Sequence, residues 1–270
     1  IALNDSGKFL LQSKGLAENA RLYLEEYLKK ASRYKNVGST GDPIFSLYQP
    51  PLLSVAGSRA LHHRLKRRFE RIRIPASATI GMSKHCQCHC EHCSASYHMA
   101  SGRVDLNTEQ MVQAFRESIE LGVTTLILVG GEPLIRRDLE TILDQSRSEL
   151  ASVIAFTNGE LLDEKRARSL RSTGLLGAFV SLDAPFAAEH DQLRGRPGLF
   201  EKALRAIAAG RAAGLVMGIS TYLTDERVKA GYVEKFIDLA KETQASEVTQ
   251  MLPSSSKAIV RVKVPRRGSR

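Results

Sequence analysis

"TTLILVGGEP", residues 124 to 133, decides the fold class of this chain. A short apolar run that ends in glycines is typical of a strand buried on both faces. Five other runs of this kind are "SATIGM", "SVIAFTNG", "GAFVSLD", "VMGISTYLT" and "EVTQML". Between the runs, helical periodicity predicts helices near residues 108–121, 137–147, 163–172, 199–213 and 228–242. Strands that alternate with helices of this length indicate parallel βαβ units, and therefore an α/β fold.

Six strands are too few for a complete eight-stranded barrel, but they fit either an open doubly wound sheet or a partial barrel. In both architectures the active face lies at the carboxyl ends of the parallel strands. A cysteine-rich loop follows the first predicted strand, and "GGEPL" (130–134), "TNG" (157–159) and "SLDAP" (181–185) follow the next three. We therefore expect these four segments to converge on one cavity.

Residues 1–74 have a different pattern and are predicted to form an N-terminal accessory region. Its first helix is "LAENARLYLEEYLKKASRY", in which Leu16, Ala20, Leu24, Tyr27, Leu28 and Ala31 share one face. The segment "IFSLYQPPLLSVAG" is predicted to be extended, because its paired prolines exclude a helix there. A basic helix over 59–73 would pack Leu61, Leu65 and Phe69 inward. Residues 75–252 then form the α/β core, and 253–270 form a basic tail that could be a truncated C-terminus.

The composition is that of an ordinary soluble globular protein, with 270 residues, 43% hydrophobic and 25% charged. No apolar run approaches the roughly 18 to 20 residues that cross a bilayer, so we expect a cytoplasmic protein with reduced thiols. Much of the net charge of +10 lies in the basic helix, where a solvated helix face is the favoured interpretation and an anionic partner is the alternative. Since few aromatic residues lie near that helix, a nucleic-acid partner is not expected.

"CQCHCEHC", residues 86 to 93, contains all four cysteines of the chain. Cysteines separated by one residue cannot form a relaxed disulfide, so the sequence favours a metal. Zinc is one candidate, since histidines 85, 89, 92 and 98 could join the thiolates. Zinc sites, however, usually combine two ligand pairs from separate places. The C-x3-C-x2-C spacing of Cys86, Cys90 and Cys93 fits the other candidate, a 4Fe–4S cluster with one iron left open.

The cysteine loop resembles the signature of the radical S-adenosylmethionine (SAM) superfamily. The resemblance continues in the expected order through "GGEPL", "TNG", "SLDAP", "HDQLRGRPGLF" and "GISTYLT", across residues 77 to about 252. It is greatest to the branch that contains molybdenum-cofactor, pyrroloquinoline-quinone and peptide-maturation enzymes. It implies a partial (β/α)6 TIM-type barrel, a 4Fe–4S cluster and SAM as cofactors, and a flavodoxin or ferredoxin-like electron donor. In such enzymes, reductive cleavage of SAM yields a 5′-deoxyadenosyl radical that abstracts hydrogen from a substrate.

The resemblance also implies which residues form the site. The implied cluster ligands are Cys86, Cys90 and Cys93. The implied cofactor contacts are His92, Gly130, Gly131, Glu132, Pro133, Thr157, Asn158, Ser181, Arg194 and Ile219. Glycines let a backbone approach a ligand closely, and a carboxylate such as Glu132 can accept hydrogen bonds from an ammonium group. Each residue type also has a plain structural alternative: a surface histidine, a turn glycine, a capping serine, a solvent-exposed arginine or a core isoleucine.

Three questions stay open at the level of sequence. The substrate, whether a small molecule or a peptide, has no recognisable motif. Cys88 is surplus to a three-thiol site, and no cysteine follows Cys93 that could hold an auxiliary cluster within this sequence. The alternative function is a zinc-bound or metal-free α/β scaffold that binds a partner without catalysis.

Overall fold

The computed structural model describes residues 17–31, 36, 43–96 and 104–251, together with three short strands at 2–3, 9–10 and 261–263. The strands are β1 (Ala2–Leu3), β2 (Phe9–Leu10), β3 (Ser77–Gly81), β4 (Thr125–Val129), β5 (Ser152–Thr157), β6 (Leu175–Ser181), β7 (Val216–Tyr222), β8 (Glu247–Met251) and β9 (Arg261–Lys263). The α-helices are α1 (Glu18–Ala31), α2 (Val55–Leu65), α3 (Thr108–Glu120), α4 (Leu139–Gln145), α5 (Glu164–Ser172), α6 (Ala187–Arg194), α7 (Leu199–Ala212), α8 (Asp225–Lys229) and α9 (Tyr232–Glu242).

Strands β3 to β8 pair in sequential order, and all of these pairs are parallel. Strand β9 adds to β8 in the antiparallel direction, whereas β1 and β2 pair only with each other. Helices connect the parallel strands, as the alternating pattern predicts. This arrangement confirms the α/β class and the six-stranded partial barrel.

Both faces of the parallel sheet are buried along β4 to β8, which explains the continuous apolar runs of these strands, whereas the edge strand β3 is partly exposed. One face packs against the helices; there Leu126, Leu128 and Val180 join Phe115 of α3 in the main hydrophobic core. The alternate residues of the strands, which include Phe179, form a second and smaller apolar cluster inside the curved sheet.

Residues 43–48 enter that second cluster from the accessory region, and we call them the plug. Leu47 is fully buried, and the ring of Tyr48 lies 5.2 Å from that of Phe179. Glu247, the first residue of β8, accepts a hydrogen bond from the Leu47 amide at 2.8 Å. The Tyr48 carbonyl accepts from the hydroxyl of Thr125, the first residue of β4, at 3.4 Å. The plug therefore fills the barrel interior at the amino ends of the strands.

Several sequence predictions for the accessory region are wrong in detail. The segment predicted as extended forms turns, and its last three residues, Val55 to Gly57, belong to α2. Ser54 caps that helix by accepting from the Gly57 amide, at 3.0 Å. The basic helix does not continue as an α-helix but changes to a π-helix over Lys66–Glu70. This change alters the helical register, so Phe69 is 39% exposed instead of packed inward.

Helix prediction in the core is correct except at two places. Periodicity missed α6, because its short sequence lies within a motif that was interpreted only as a loop. Periodicity also merged the end of α8 with α9, which are two helices on either side of Gly231. Gly231 has a left-handed backbone, with φ of 76°, that breaks the helix. Leu16 and most of the 253–270 tail lie outside the described residues, and the domain boundary at residue 74 stays a prediction.

Across the described ranges, every helix is too short or too polar to cross a lipid bilayer.

Candidate active site

The cysteine loop and the "GGE" segment are bound to each other through their backbones. The Gly131 amide donates to the Ser83 carbonyl at 2.6 Å, and the Glu132 amide donates to the His85 carbonyl at 2.8 Å. A Cβ atom on Gly130 would lie 2.5 Å from the Ser83 carbonyl oxygen, and one on Gly131 would lie 2.2 Å from that of His85. The missing side chains thus make room for the backbone that leads into the cysteine loop. The two motifs that the sequence analysis treats separately form one structural unit.

Three of the four thiols lie beside one another, with Cys88 in the middle. The Cys88 amide donates to the Cys86 sulfur at 3.4 Å, and the neighbouring Cys88 thiol lowers the pKa of Cys86 and Cys90 to about 6. Contact with these two thiols, together with burial, raises the pKa of the buried Cys88. Cys93 is half-buried at the end of the loop, where its amide donates to the Cys90 carbonyl at 3.3 Å.

The thiols fit an iron–sulfur cluster in the chemistry of their donor atoms. Thiolate is the form of cysteine that binds metal, and the lowered pKa of Cys86 and Cys90, beside the Cys88 thiol, favours that form. In the part of the chain that the structure describes, no group of three or more His, Cys, Asp and Glu side chains is arranged to hold a single metal ion. The loop therefore supplies suitable ligands without a preformed single-ion site.

Glu132 lies at the centre of the site and is only 1% exposed. Its carboxylate accepts from the Thr157 hydroxyl at 2.7 Å, the Asn158 amide at 2.8 Å and the Leu134 amide at 3.0 Å. Burial raises the pKa of Glu132 to about 7, although these hydrogen bonds oppose the shift. A carboxylate offers about four acceptor positions, so a further donor could still bind here.

Asn158 connects the end of β5 to the cysteine loop. Its side-chain amide nitrogen lies 3.5 Å from the Cys88 sulfur and 4.0 Å from the Cys86 sulfur. Its side-chain oxygen accepts from Gln87 at 3.4 Å and from the Glu160 amide at 2.9 Å. Asn158 therefore supports the loop, whatever else it contacts.

His92 and Arg194 meet at a residue that the sequence analysis did not single out. The Asp183 carboxylate lies 2.9 Å from His92 Nε2 and 2.5 Å from Arg194 Nε. Arg194 also reaches the Cys90 sulfur, at 3.7 Å. The His92 ring stacks on Tyr222 at the end of β7, with centroids 5.0 Å apart. The position of Asp183 at the carboxyl end of a predicted strand was the signal that could have found it.

Glu160 is a second carboxylate that sequence reasoning missed, and it is partly buried. It accepts from Arg196 at 2.8 and 3.1 Å and from Lys202 at 2.5 Å. These hydrogen bonds, the one from Arg196 first, lower the pKa of Glu160 to about 2. Glu160 thus ties the "TNG" segment to the loop between α6 and α7.

The other predicted cofactor contacts lie around the same face, with different exposure. Pro133 is buried and begins a 3₁₀ turn that leaves the "GGE" segment. Ser181 is partly exposed at the end of β6, opposite Ser220 of β7. Ile219 is fully buried in the core on the helix side of the sheet. A contact between Ile219 and a cofactor would therefore come from its backbone.

The sequence matches the family model described as the radical SAM superfamily over residues 80–240, which is more than half of the chain. A curated relative, the AdoMet-dependent heme synthase of Nitratidesulfovibrio vulgaris, is 28% identical over 147 residues, which cover 54% of this chain and 40% of the relative. The mycofactocin maturase MftC of Mycobacterium tuberculosis is 30% identical over 196 residues, covering 71% of this chain and 49% of MftC. The chain thus spans about half the length of the curated relatives it matches.

A solved structure with a similar fold is Streptococcus suis SuiB bound to its precursor peptide SuiA. The TM-score is 0.58 at 16% identity, and the match covers 87% of this chain and 52% of SuiB. SuiB bound to S-adenosylmethionine aligns with a TM-score of 0.57 at 17% identity, over 92% of this chain and 54% of SuiB. At these identities the likeness shows the fold alone. Together with the cysteine loop and the "GGEP" segment bound to it, the family match shows that this chain belongs to the radical SAM superfamily of enzymes, whose cofactors are SAM and an iron–sulfur cluster.

Proposed function

We propose that this chain is the core of a radical SAM enzyme in which Cys86, Cys90 and Cys93 hold a 4Fe–4S cluster. The observation that carries the proposal is the union of the "GGE" segment with the chain that enters the cysteine loop, since Gly131 and Glu132 donate hydrogen bonds to the carbonyls of Ser83 and His85. Three thiolates would leave one iron open to a small molecule beside these residues. When bound, the cluster and SAM supply one-electron chemistry, the reductive cleavage of SAM to methionine and a 5′-deoxyadenosyl radical that takes hydrogen from the substrate.

The residues of the chain have distinct roles in this proposal. The thiolates of the loop bind the cluster, and the Arg194 guanidinium, 3.7 Å from the Cys90 sulfur, offsets their negative charge. Glu132 orients the ammonium group of SAM, for which its buried carboxylate keeps one acceptor position. It does not act as an acid or base. Contacts to the remainder of SAM fall to His92, Gly130, Gly131, Pro133, Thr157, Asn158, Ser181, Arg194 and the backbone of Ile219.

The substrate in this proposal is a peptide or a small metabolite. MftC is named a maturase, and SuiB was solved with a precursor peptide, which supports a peptide in particular. We further propose that the protein acts in the cytoplasm, where thiols stay reduced. A flavodoxin or ferredoxin-like protein would supply the electron.

The test is deoxyadenosine formation by protein purified and reconstituted without oxygen. After reduction with dithionite, the protein should convert SAM slowly to 5′-deoxyadenosine without any substrate, as measured by chromatography. A variant with alanine at residues 86, 90 and 93 is the control for adventitious iron. No deoxyadenosine from a sample whose iron content verifies a loaded cluster would contradict the proposal. A protein that takes up zinc but no iron would instead support the binding-scaffold alternative.

A further inference from the structure

Asp183 is a buried carboxylate between two elements of the site. It is 2% exposed, and its Oδ2 atom lies between Arg194 Nε and His92 Nε2, at 2.5 and 2.9 Å. Burial alone would raise the pKa of Asp183, but the His92 hydrogen bond and the Arg194 charge outweigh it and hold the pKa below the ordinary value. A buried charge is tolerated only with such partners, so the three side chains depend on one another.

The Arg194 side of this network is attached to the cysteine loop by backbone as well as side chain. Arg194 ends helix α6, and its carbonyl accepts from the His89 amide at 2.9 Å. The Leu193 carbonyl accepts from the Glu91 amide at 3.3 Å. The next residue, Gly195, has a φ of 57°, and a Cβ atom there would lie 2.9 Å from the His89 carbonyl oxygen. The end of α6 therefore lies directly against the middle of the loop.

The backbone of Asp183 is itself held in place. Its amide donates to Nδ1 of His190, a fully buried residue of α6, at 3.1 Å. Burial lowers the pKa of His190 to about 4, so the ring is neutral and its Nδ1 is free to accept. The His190 ring also packs edge-on against Phe200, with centroids 5.7 Å apart. Asp183 is thus fixed at its backbone and is bonded at its carboxylate to two residues that belong to, or contact, the loop.

We propose that Asp183 is a positioning residue that holds the cysteine loop at the carboxyl end of β6, through Arg194 on one side and His92 on the other. It touches neither the thiols nor, in this proposal, the cofactor; it acts through the two side chains that do. The identification of the loop as the cluster-binding segment rests on the proposed function, but the mechanical link does not.

The test is amide hydrogen exchange of the complete, cluster-free chain, followed by mass spectrometry. Asp183→Asn keeps the shape and one acceptor oxygen but removes the charge that holds both partners. Exchange in residues 86–93 should become about tenfold faster or more, since breaking a buried ion pair by removing one of its charges costs more than that factor. Exchange in β4 should not change. The matched control is Glu189→Gln on the same helix, which loses its bonds to Arg227 and Tyr232, both 2.7 Å, but does not touch the loop.

Equal exchange of residues 86–93 in wild type and Asp183→Asn would overturn the proposal, as would an equal acceleration in Glu189→Gln. If Asp183→Asn does not fold, Arg194→Lys gives the same test, because it keeps the positive charge but lacks Nε. A second readout is the reduction potential of the reconstituted cluster, which should rise in Asp183→Asn because a nearby negative charge is lost. The exchange experiment needs neither cluster nor SAM, so its failure is distinct from a failure to form deoxyadenosine.

Discussion

At the amino ends of the parallel strands the barrel interior is filled mainly by apolar side chains, with the buried carboxylate of Glu247 bonded to the plug, whereas at the carboxyl ends thiols and charged groups line it. Leu47 and Tyr48 of the plug pack against Phe179 at the first end. At the second end the buried groups include Glu132 and Asp183. Apolar packing stabilises a fold without specific partners, but each buried charge costs free energy unless others satisfy it. The comparison indicates that the plug contributes stability and that the opposite end gives up stability for function.

The largest effect expected at the carboxyl end is the loss of the cluster. Each of the three single substitutions, Cys86→Ala, Cys90→Ala and Cys93→Ala, should abolish cluster absorbance and deoxyadenosine formation, because a three-thiol site has no spare ligand. The folded structure should persist in all three variants, as judged by circular dichroism. If one of these variants keeps a full cluster, the ligand set is wrong.

At the amino end, by contrast, a substitution should cost stability and leave the site chemistry unchanged. Leu47→Ala removes a fully buried side chain, and such changes destabilise by about 2 to 5 kcal/mol. Urea unfolding measures the change. The control is Leu22→Ala on α1, where the side chain is 52% exposed and the expected change is within about 0.5 kcal/mol. Equal losses in the two variants would show that the plug does not stabilise the barrel.

The pH dependence of stability should reflect the buried carboxylate of Glu132 at the carboxyl end. The pKa of Glu132 rises from 4.5 to about 7 on folding, so the folded protein binds the proton more tightly than the unfolded chain. Stability from this group is therefore present below pH 4.5 and is lost as the pH rises to 7, by roughly 3 kcal/mol in total. His190, whose pKa falls from 6.5 to about 4, acts in the opposite direction over much of this range.

For this reason the measured quantity is the free energy of unfolding of wild type minus that of Glu132→Gln. It is obtained by urea unfolding of the cluster-free protein from pH 4.5 to 8. The variant cannot titrate at residue 132, so the difference should grow steadily as the pH falls from 7. A constant difference across the range would mean that Glu132 does not titrate there.

A smaller effect is expected for the affinity of SAM. Glu132→Gln keeps an acceptor but removes the charge, and a charged hydrogen bond is worth about 1.5 to 3 kcal/mol. SAM binding to the cluster-loaded protein should weaken about tenfold or more in a direct titration, while iron content stays the same. Glu140→Gln is the control, since Glu140 pairs with Arg166 at 2.8 Å and belongs to α4. Unchanged SAM affinity in Glu132→Gln would refute the orienting role.

The smallest effect is expected for Cys88, although it lies among the thiols. Its place between the first two ligands leaves it outside the C-x3-C-x2-C set, and the pKa of its thiol is raised whereas the pKa values of Cys86 and Cys90 are lowered. Cys88→Ala should therefore retain cluster absorbance and deoxyadenosine formation. If this variant alone fails to assemble a cluster, the spacing argument has selected the wrong three sulfurs.

By itself the sequence determined the class of the fold and the place of the site. Apolar runs alternating with helical periodicity specify parallel βαβ units, because each pattern buries its apolar face in only one type of element. The cysteine loop and "GGEP" identified the chemistry, because thiol spacing and glycine positions are local properties of the chain. The core helices were predicted nearly correctly for the same reason.

Tertiary structure alone decided how these parts are held together. The plug was predicted as part of an extended segment. Its contacts with Phe179 and Glu247 join residues about 130 to 200 positions apart, so no local pattern could predict them. Asp183 lies in the "SLDAP" segment, but that segment did not single it out, because Arg194 and His92 approach it only in the folded chain. The backbone of Ser83 and His85, just before the cysteine loop, fills the space that Gly130 and Gly131 leave open, which no local pattern reveals. Periodicity records which face of an element is buried, but it does not record the partner against which that face is buried.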